Sequence, residues 1–152
     1  MKTLIKAEKV IRLAFSDQEG DRPSIITEAD IAEAESRYLL PVIGQSLYAR
    51  LIEGGYEIMR EEYIAPAVAA YTRYVVEPHL PLRCVGCVAE GVTAADNDRL
   101  MLTREALRRK AATLMRRLSD YLNDHAEEFA EYSSEDNILN RCSIYGDIVQ
   151  VY

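Results

Sequence analysis

Apolar residues recur at helical spacing along most of this chain. Between residues 2 and 16, Leu4, Ala7, Val10, Ile11, Ala14 and Phe15 fall on one face, with Lys2, Lys6, Lys9 and Arg12 elsewhere, which predicts an amphipathic helix. A polar stretch from Ser16 to Ser24, rich in turn formers, follows as a loop. Thr27 then reads as an N-cap, with Asp30 where a capping box places its acid, and the helix it opens runs to about Leu40. A shorter helix spans about Gln45 to Glu53, with Leu47, Tyr48, Leu51 and Ile52 at helical spacing, and Gly54-Gly55 ends it.

These two helices meet at a corner. Pro41 cannot donate the helical hydrogen bond and biases Leu40 away from the α region. Gly44 permits the backbone angles of a reversal. The corner is therefore assigned to Pro41 and Gly44, and packing of the flanking rods to Tyr38, Leu47, Tyr48 and Leu51. A helical region from Tyr56 to about Val76 contains Pro66, which divides it or sits in the first turn of its second half. Ala67, Val68, Ala69, Ala70, Tyr71, Tyr74 and Val75 leave almost no polar face, so this segment is expected to be the central, most buried helix, ended by Pro78 and Pro81.

Val85, Val88 and Val92, with the later Leu100-Met101-Leu102, flank a turn cluster at Ala94-Ala95-Asp96-Asn97-Asp98 and predict a β-hairpin near 84–102. Thr103 is read as the cap of a last long helix to about Ala130, whose stripe is Leu107, Ala111, Leu114, Met115, Leu118, Tyr121, Leu122 and Phe129. The fold class is therefore mostly α, a helical bundle with an inserted β-hairpin over residues 1–132, followed by a tail or arm at 133–152. The end of that tail, Ile148 to Tyr152, has strand composition without a partner strand in reach; it docks on its own domain, is disordered or, as expected here, adds a strand to a neighbour's hairpin. The sequence contains no internal repeat and no low-complexity segment.

At 152 residues the chain fits one domain with a real core. No apolar run approaches the ~18 residues of a membrane span, and Lys6, Glu8 and Lys9 interrupt the hydrophobic core a secretory signal needs. The expected compartment is the cytoplasm. Cys84, Cys87 and Cys142 are an odd set that argues against a disulfide framework. A net charge of −7 favours solubility and opposes bulk affinity for nucleic acid.

Candidate chemistry is sparse. Cys84 and Cys87 form a CxxC, but a structural zinc site needs four ligands, and His79, His125 and Cys142 are scattered, so the pair is a weak metal candidate and reads better as small apolar residues. No G-x-S-x-G, P-loop or G-x-G-x-x-G is present. No catalytic residue, cofactor or enzymatic activity is assigned. The last helix segregates charge: Arg104, Arg108, Arg109, Lys110, Arg116 and Arg117 come early, then Asp120, Asp124, Glu127, Glu128, Glu131, Glu135 and Asp136. This opposes the helix dipole. It fits a solvated face, a nucleic-acid patch that lacks interleaved aromatics, or complementary pairing between subunits. The subunit-interface candidates are Arg108, Arg109, Arg116 and Arg117 against Glu127, Glu128 and Glu131.

The pattern A-E-x-x-Y-[LI]-x-P-x-I-G-x-x-L-Y-x-x-L, met by Ala34, Glu35, Tyr38, Leu39, Pro41, Ile43, Gly44, Leu47, Tyr48 and Leu51, resembles the N-terminal signature of small head-to-tail connector proteins of tailed phages and prophages. The order continues with the proline-bearing helix at Ala65-Pro66-Ala67, a hairpin-like Glu90-Gly91-Val92-Thr93, and a long helix ending in Asp120-Tyr121-Leu122. The resemblance covers roughly residues 25 to 132 and implies a structural virion protein. Its partners would be copies of itself in a ring of about a dozen, joined by heterologous interfaces, and the portal and tail proteins. Packaged DNA would pass non-specifically through the centre, and no membrane is involved. The implied location is the host cytoplasm during assembly, then the virion. A channel that passes DNA should not grip phosphates, which suits an acidic subunit. Cys84 and Cys87 are not part of the resemblance. The alternative is a cytoplasmic helical adaptor or regulator that binds one protein partner.

Overall fold

The computed structural model describes residues 2–15, 26–80, 94–145 and 148–151. The chain forms α1 (Ala7–Ala14), α2 (Glu28–Ala34), a π-helical turn (Glu35–Leu39), α3 (Leu40–Ile43), α4 (Gln45–Ile52) and α5 (Glu57–Met59). A second π-helical turn (Arg60–Ile64), α6 (Ala65–Val76), a 3-10 turn (Glu77–His79) and α7 (Ala94–Asp124) follow. A 3-10 turn (Ala126–Glu128), α8 (Ile138–Arg141) and strands β1 (Cys142–Tyr145) and β2 (Ile148–Val151) complete it. The protein is a mostly α helical bundle.

Helix α6 lies at the centre, with α1, α2 and α7 packed on it. Its alanines and Val68 are buried, so neighbouring helices approach closely, and the buried Thr72 hydroxyl donates to the Val68 carbonyl at 2.8 Å rather than facing the core unpaired. Helix α2 starts at the predicted capping box: the Asp30 amide donates to Thr27 Oγ1 at 3.3 Å and the Thr27 amide to Asp30 Oδ2 at 2.8 Å. Helix α7 has 31 residues and is therefore about 46 Å long. Its stripe Ala111, Met115, Leu118 and Leu122 is buried, whereas Leu100, Met101 and Leu102 are 36%, 70% and 73% exposed.

Several expectations change. The turn cluster and second strand placed at 94–102 are instead the first turns of α7, and the rest of the expected hairpin, including Cys84 and Cys87, lies outside the described residues. Thr103 is not a cap but an interior residue whose hydroxyl donates to the Arg99 carbonyl at 2.9 Å. With the helix starting at Ala94, Asp96 and Asp98 occupy its opening turns and the arginines from Arg104 onward lie past the turn where the dipole acts, so the expected conflict at that end disappears. The helix ends at Asp124 rather than near Ala130, though Phe129 still reaches the core. The first helix begins at Ala7, because residues before it are held by tertiary contacts instead. The tail has a partner strand of its own: β1 and β2 pair antiparallel, Cys142 opposite Val151 and Tyr145 opposite Ile148. That partner lies just upstream in sequence, and a hairpin closes at far lower entropic cost than a strand exchanged with a neighbour.

Candidate interaction surface

The signature stretch folds into an elbow, but not where proline alone would put it. Leu40 is helical (φ −55°, ψ −40°), contrary to the expected bias, and the helix runs on through Pro41. A proline inside a helix removes an N–H and crowds the carbonyl four residues back. Here the preceding π-helical turn absorbs the misfit, since the Leu40 amide donates to the Glu35 carbonyl five residues back and so widens the turn. Pro66 is accommodated in the same way, with the Ala65 amide donating to the Arg60 carbonyl. Both turns carry Tyr-[Leu/Ile]-x-Pro, and each tyrosine stacks on another: Tyr38 on Tyr71 and Tyr63 on Tyr121, both at 4.1 Å between ring centres. Glu35–Pro41 and Arg60–Pro66 thus share one local geometry, each with a Tyr three residues before Pro.

The break falls at Gly44 alone. Its backbone (φ 79°, ψ 161°) is nearly closed to other residues, and a Cβ there would meet nothing within 4 Å, so substitution costs conformational strain rather than a clash. Gly44→Ala is expected to lower the unfolding free energy by about 1–3 kcal/mol, read as a shift in the urea midpoint at unchanged slope. No shift would mean that the corner relaxes freely. Helix α4 ends in a Schellman turn, with the amides of Gly54 and Gly55 donating to the carbonyls of Leu51 and Arg50. The packing residues take their expected places: Leu47 and Leu51 are buried, and Tyr38 and Tyr48 pack against the core.

Glu35 is the buried hub of the elbow, 1% exposed. Its Oε1 accepts from the Leu4 amide at 2.8 Å and its Oε2 from the Tyr48 hydroxyl at 2.7 Å, and the Ile5 amide also bonds to the carboxylate. One side chain thus joins the N-terminal segment, the π-helical turn and α4. Burial raises its pKa above the usual value, because desolvation outweighs these hydrogen bonds. Burial and the neighbouring carboxylate push the Tyr48 hydroxyl up as well. Asn137, another buried polar residue that sequence reasoning did not single out, donates to Ser119 Oγ and Tyr132 Oη, both at 2.8 Å, and accepts from the Leu139 amide at 2.9 Å, docking the C-terminal segment on α7. The available signal was Ser119, a lone hydroxyl within the apolar stripe.

The charged candidates are not brought against one another. Arg108 grips Glu105 through two bonds of 2.9 and 2.8 Å, and Arg109 adds a third at 3.0 Å, holding the Glu105 carboxyl at about 2. Arg116 donates to the Leu139 carbonyl at 3.2 Å, and Arg117 lies over the Tyr63 ring at 4.9 Å. Glu131 accepts from the Tyr56 hydroxyl at 2.7 Å, whereas Glu127 and Glu128 are exposed and form no ion pair among the described residues. A cleft of about 270 Å³ runs between α2, the end of α6 and α7. Tyr38 and Tyr74 meet edge to face at 6.3 Å, Arg37 lies over Tyr38 at 5.5 Å and Arg104 over Tyr74 at 4.8 Å. Among the described residues, no group of three or more His, Cys, Asp or Glu is placed to hold a metal, and no helix is long and apolar enough to cross a membrane. Cys142 is buried, its thiol donating to the Ile138 carbonyl at 3.2 Å.

The sequence profile of one family, described as a family of unknown function and designated DUF6712, matches residues 39–141, about two thirds of the chain. The chain belongs to DUF6712. The DUF6712 segment opens at the last residue of the first π-helical turn and takes in the Gly44 elbow, α6, α7 and α8. The N-terminal segment, α1, α2 and Glu35 precede it. Comparison with curated proteins and with solved structures found no match.

Proposed function

We propose that this DUF6712 chain is a structural subunit of a tailed phage or prophage: a head-to-tail connector that assembles as a ring between portal and tail and encloses part of the DNA passage. The observation that carries this reading is the elbow. The stretch from Ala34 to Leu51 that resembles the connector signature forms two helical rods about Gly44, with Leu39, Leu47 and Leu51 buried in the core. A rigid wedge with unlike flanks is the shape a closed ring of identical subunits requires.

The test is co-expression with the portal protein encoded in the same genomic element. Negative-stain images and native mass spectrometry should show a ring of this chain seated on the portal. Failure to bind the portal under conditions where both are folded overturns the reading. A one-to-one complex with some other protein would favour the adaptor alternative.

A further inference from the structure

We infer that the cleft floored by Tyr38 and Tyr74, with Arg104 at its rim, receives the acidic turn around Glu127 and Glu128 of a second copy of this chain. This rests on reading the chain as a self-assembling subunit, and it relocates the basic side of the interface. Of the bases first assigned there, Arg116 and Arg117 are engaged within the chain, and Arg108 and Arg109 share Glu105.

Arg104 rests on the Tyr74 ring and forms no ion pair among the described residues. A guanidinium held flat on an aromatic face keeps its edge for bidentate contact with a carboxylate. The acids on the cleft wall are already engaged: Asp30 caps Thr27, and Glu33 sits 3.6 Å from Arg37. A volume of about 270 Å³ admits a carboxylate side chain, given that a water takes about 30 Å³ in the liquid. One turn before Arg104 on α7, the exposed Leu100 and Met101 offer the apolar area that a cleft of this size lacks by itself.

The complementary surface lies at the other end of α7. Glu127, Glu128, Glu135 and Asp136 are exposed there. Twenty residues of helix separate Arg104 from Asp124, about 30 Å, so the two surfaces do not satisfy each other within one chain. Being unlike, they join copies head to tail, the heterologous contact from which a ring forms when the rotation between copies closes.

The experiment uses two charge-reversed full-length chains, Arg104→Glu, and Glu127→Lys with Glu128→Lys, followed by sedimentation equilibrium. All three positions are exposed, and thermal unfolding checks that each variant folds; if the first does not, Arg104→Gln replaces it. The unaltered chain should self-associate at low salt and less as salt shortens the screening length from about 30 Å at 0.01 M to about 8 Å at 0.15 M. Each variant alone should associate about tenfold more weakly or worse, and an equimolar mixture should recover, because the reversed cleft of one then meets the reversed turn of the other. An unaltered chain that stays monomeric, variants that associate normally, or a mixture that does not recover would each overturn the inference. A ring on the portal indifferent to the reversals would overturn it while leaving the connector reading intact; recovery in the mixture without portal binding would do the converse.

Discussion

Replacing Glu35 with alanine is expected to remove about 2–5 kcal/mol of folding stability, at the cost of about 1–3 kcal/mol for each buried donor left without an acceptor. The Leu4 amide and the Tyr48 hydroxyl both end on this carboxylate. Urea unfolding should show a lower midpoint at unchanged slope. Tyr48→Phe should cost about 1.5–3 kcal/mol, because it removes one hydrogen bond to a charged group and leaves Oε2 of the buried Glu35 carboxylate without its donor. Glu35→Gln should fall between wild type and alanine: its oxygen still serves Leu4, while its amide turns the Tyr48 hydroxyl into an acceptor.

The same residue sets a pH signature. The native pKa of Glu35 lies above its ordinary 4.5, so between the two values the folded chain holds a proton that the unfolded chain has released. The Glu35 contribution is therefore most favourable below about 4.5, falls as pH rises to the native pKa, and is flat beyond. Glu61, Glu105 and Glu131 have lowered pKa values and act in the opposite sense, their contributions being lost on acidification. The measurement is thus the difference between the wild-type and Glu35→Gln stability curves. A difference flat from pH 4 to 8 would show that desolvation does not outweigh the hydrogen bonds to the carboxylate.

Leu47→Ala should cost a comparable about 2–5 kcal/mol, the transfer free energy of the lost atoms plus that of the cavity they leave. Leu47 is fully buried on the first turn of α4 beyond Gly44. In a domain of this size each kcal/mol lowers the melting temperature by about 2–4 °C. Ile58→Ala is the control: at 70% exposed it should change stability by no more than about 0.5 kcal/mol. Equal effects at the two positions would mean that α4 is not anchored and that the elbow is not a rigid wedge.

What the sequence made legible follows from local chemistry. Thr27 and Asp30 marked a helix start because a capping box needs only residues three apart. The stretch from Ala67 to Val75 announced the central helix because it offers no polar face. Gly54-Gly55 marked a stop because a left-handed C-terminal turn favours glycine. The stripe from Ala111 to Leu122 followed from period alone. The interaction surface was less legible. Arg116, Arg117 and Glu131 carried the right charge for an interface, yet their partners within the chain come from elements far away in sequence.

By itself the sequence determined the mostly α class, the order of the helices, the buried middle one and the glycine at the bend, since each depends on residues within a few positions of one another. Only the tertiary structure decided that Pro41 stays inside a helix, because the widened turn before it is stabilised by Tyr38 on Tyr71 and by Glu35 reaching Leu4 and Tyr48. It also turned residues 94–102 into the start of α7 and paired the tail with β1. The place of Pro41 rests on contacts between distant segments, whose energies outweigh the tenths of a kcal/mol by which local preferences differ, whereas the pairing of β1 with β2 joins strands only two residues apart.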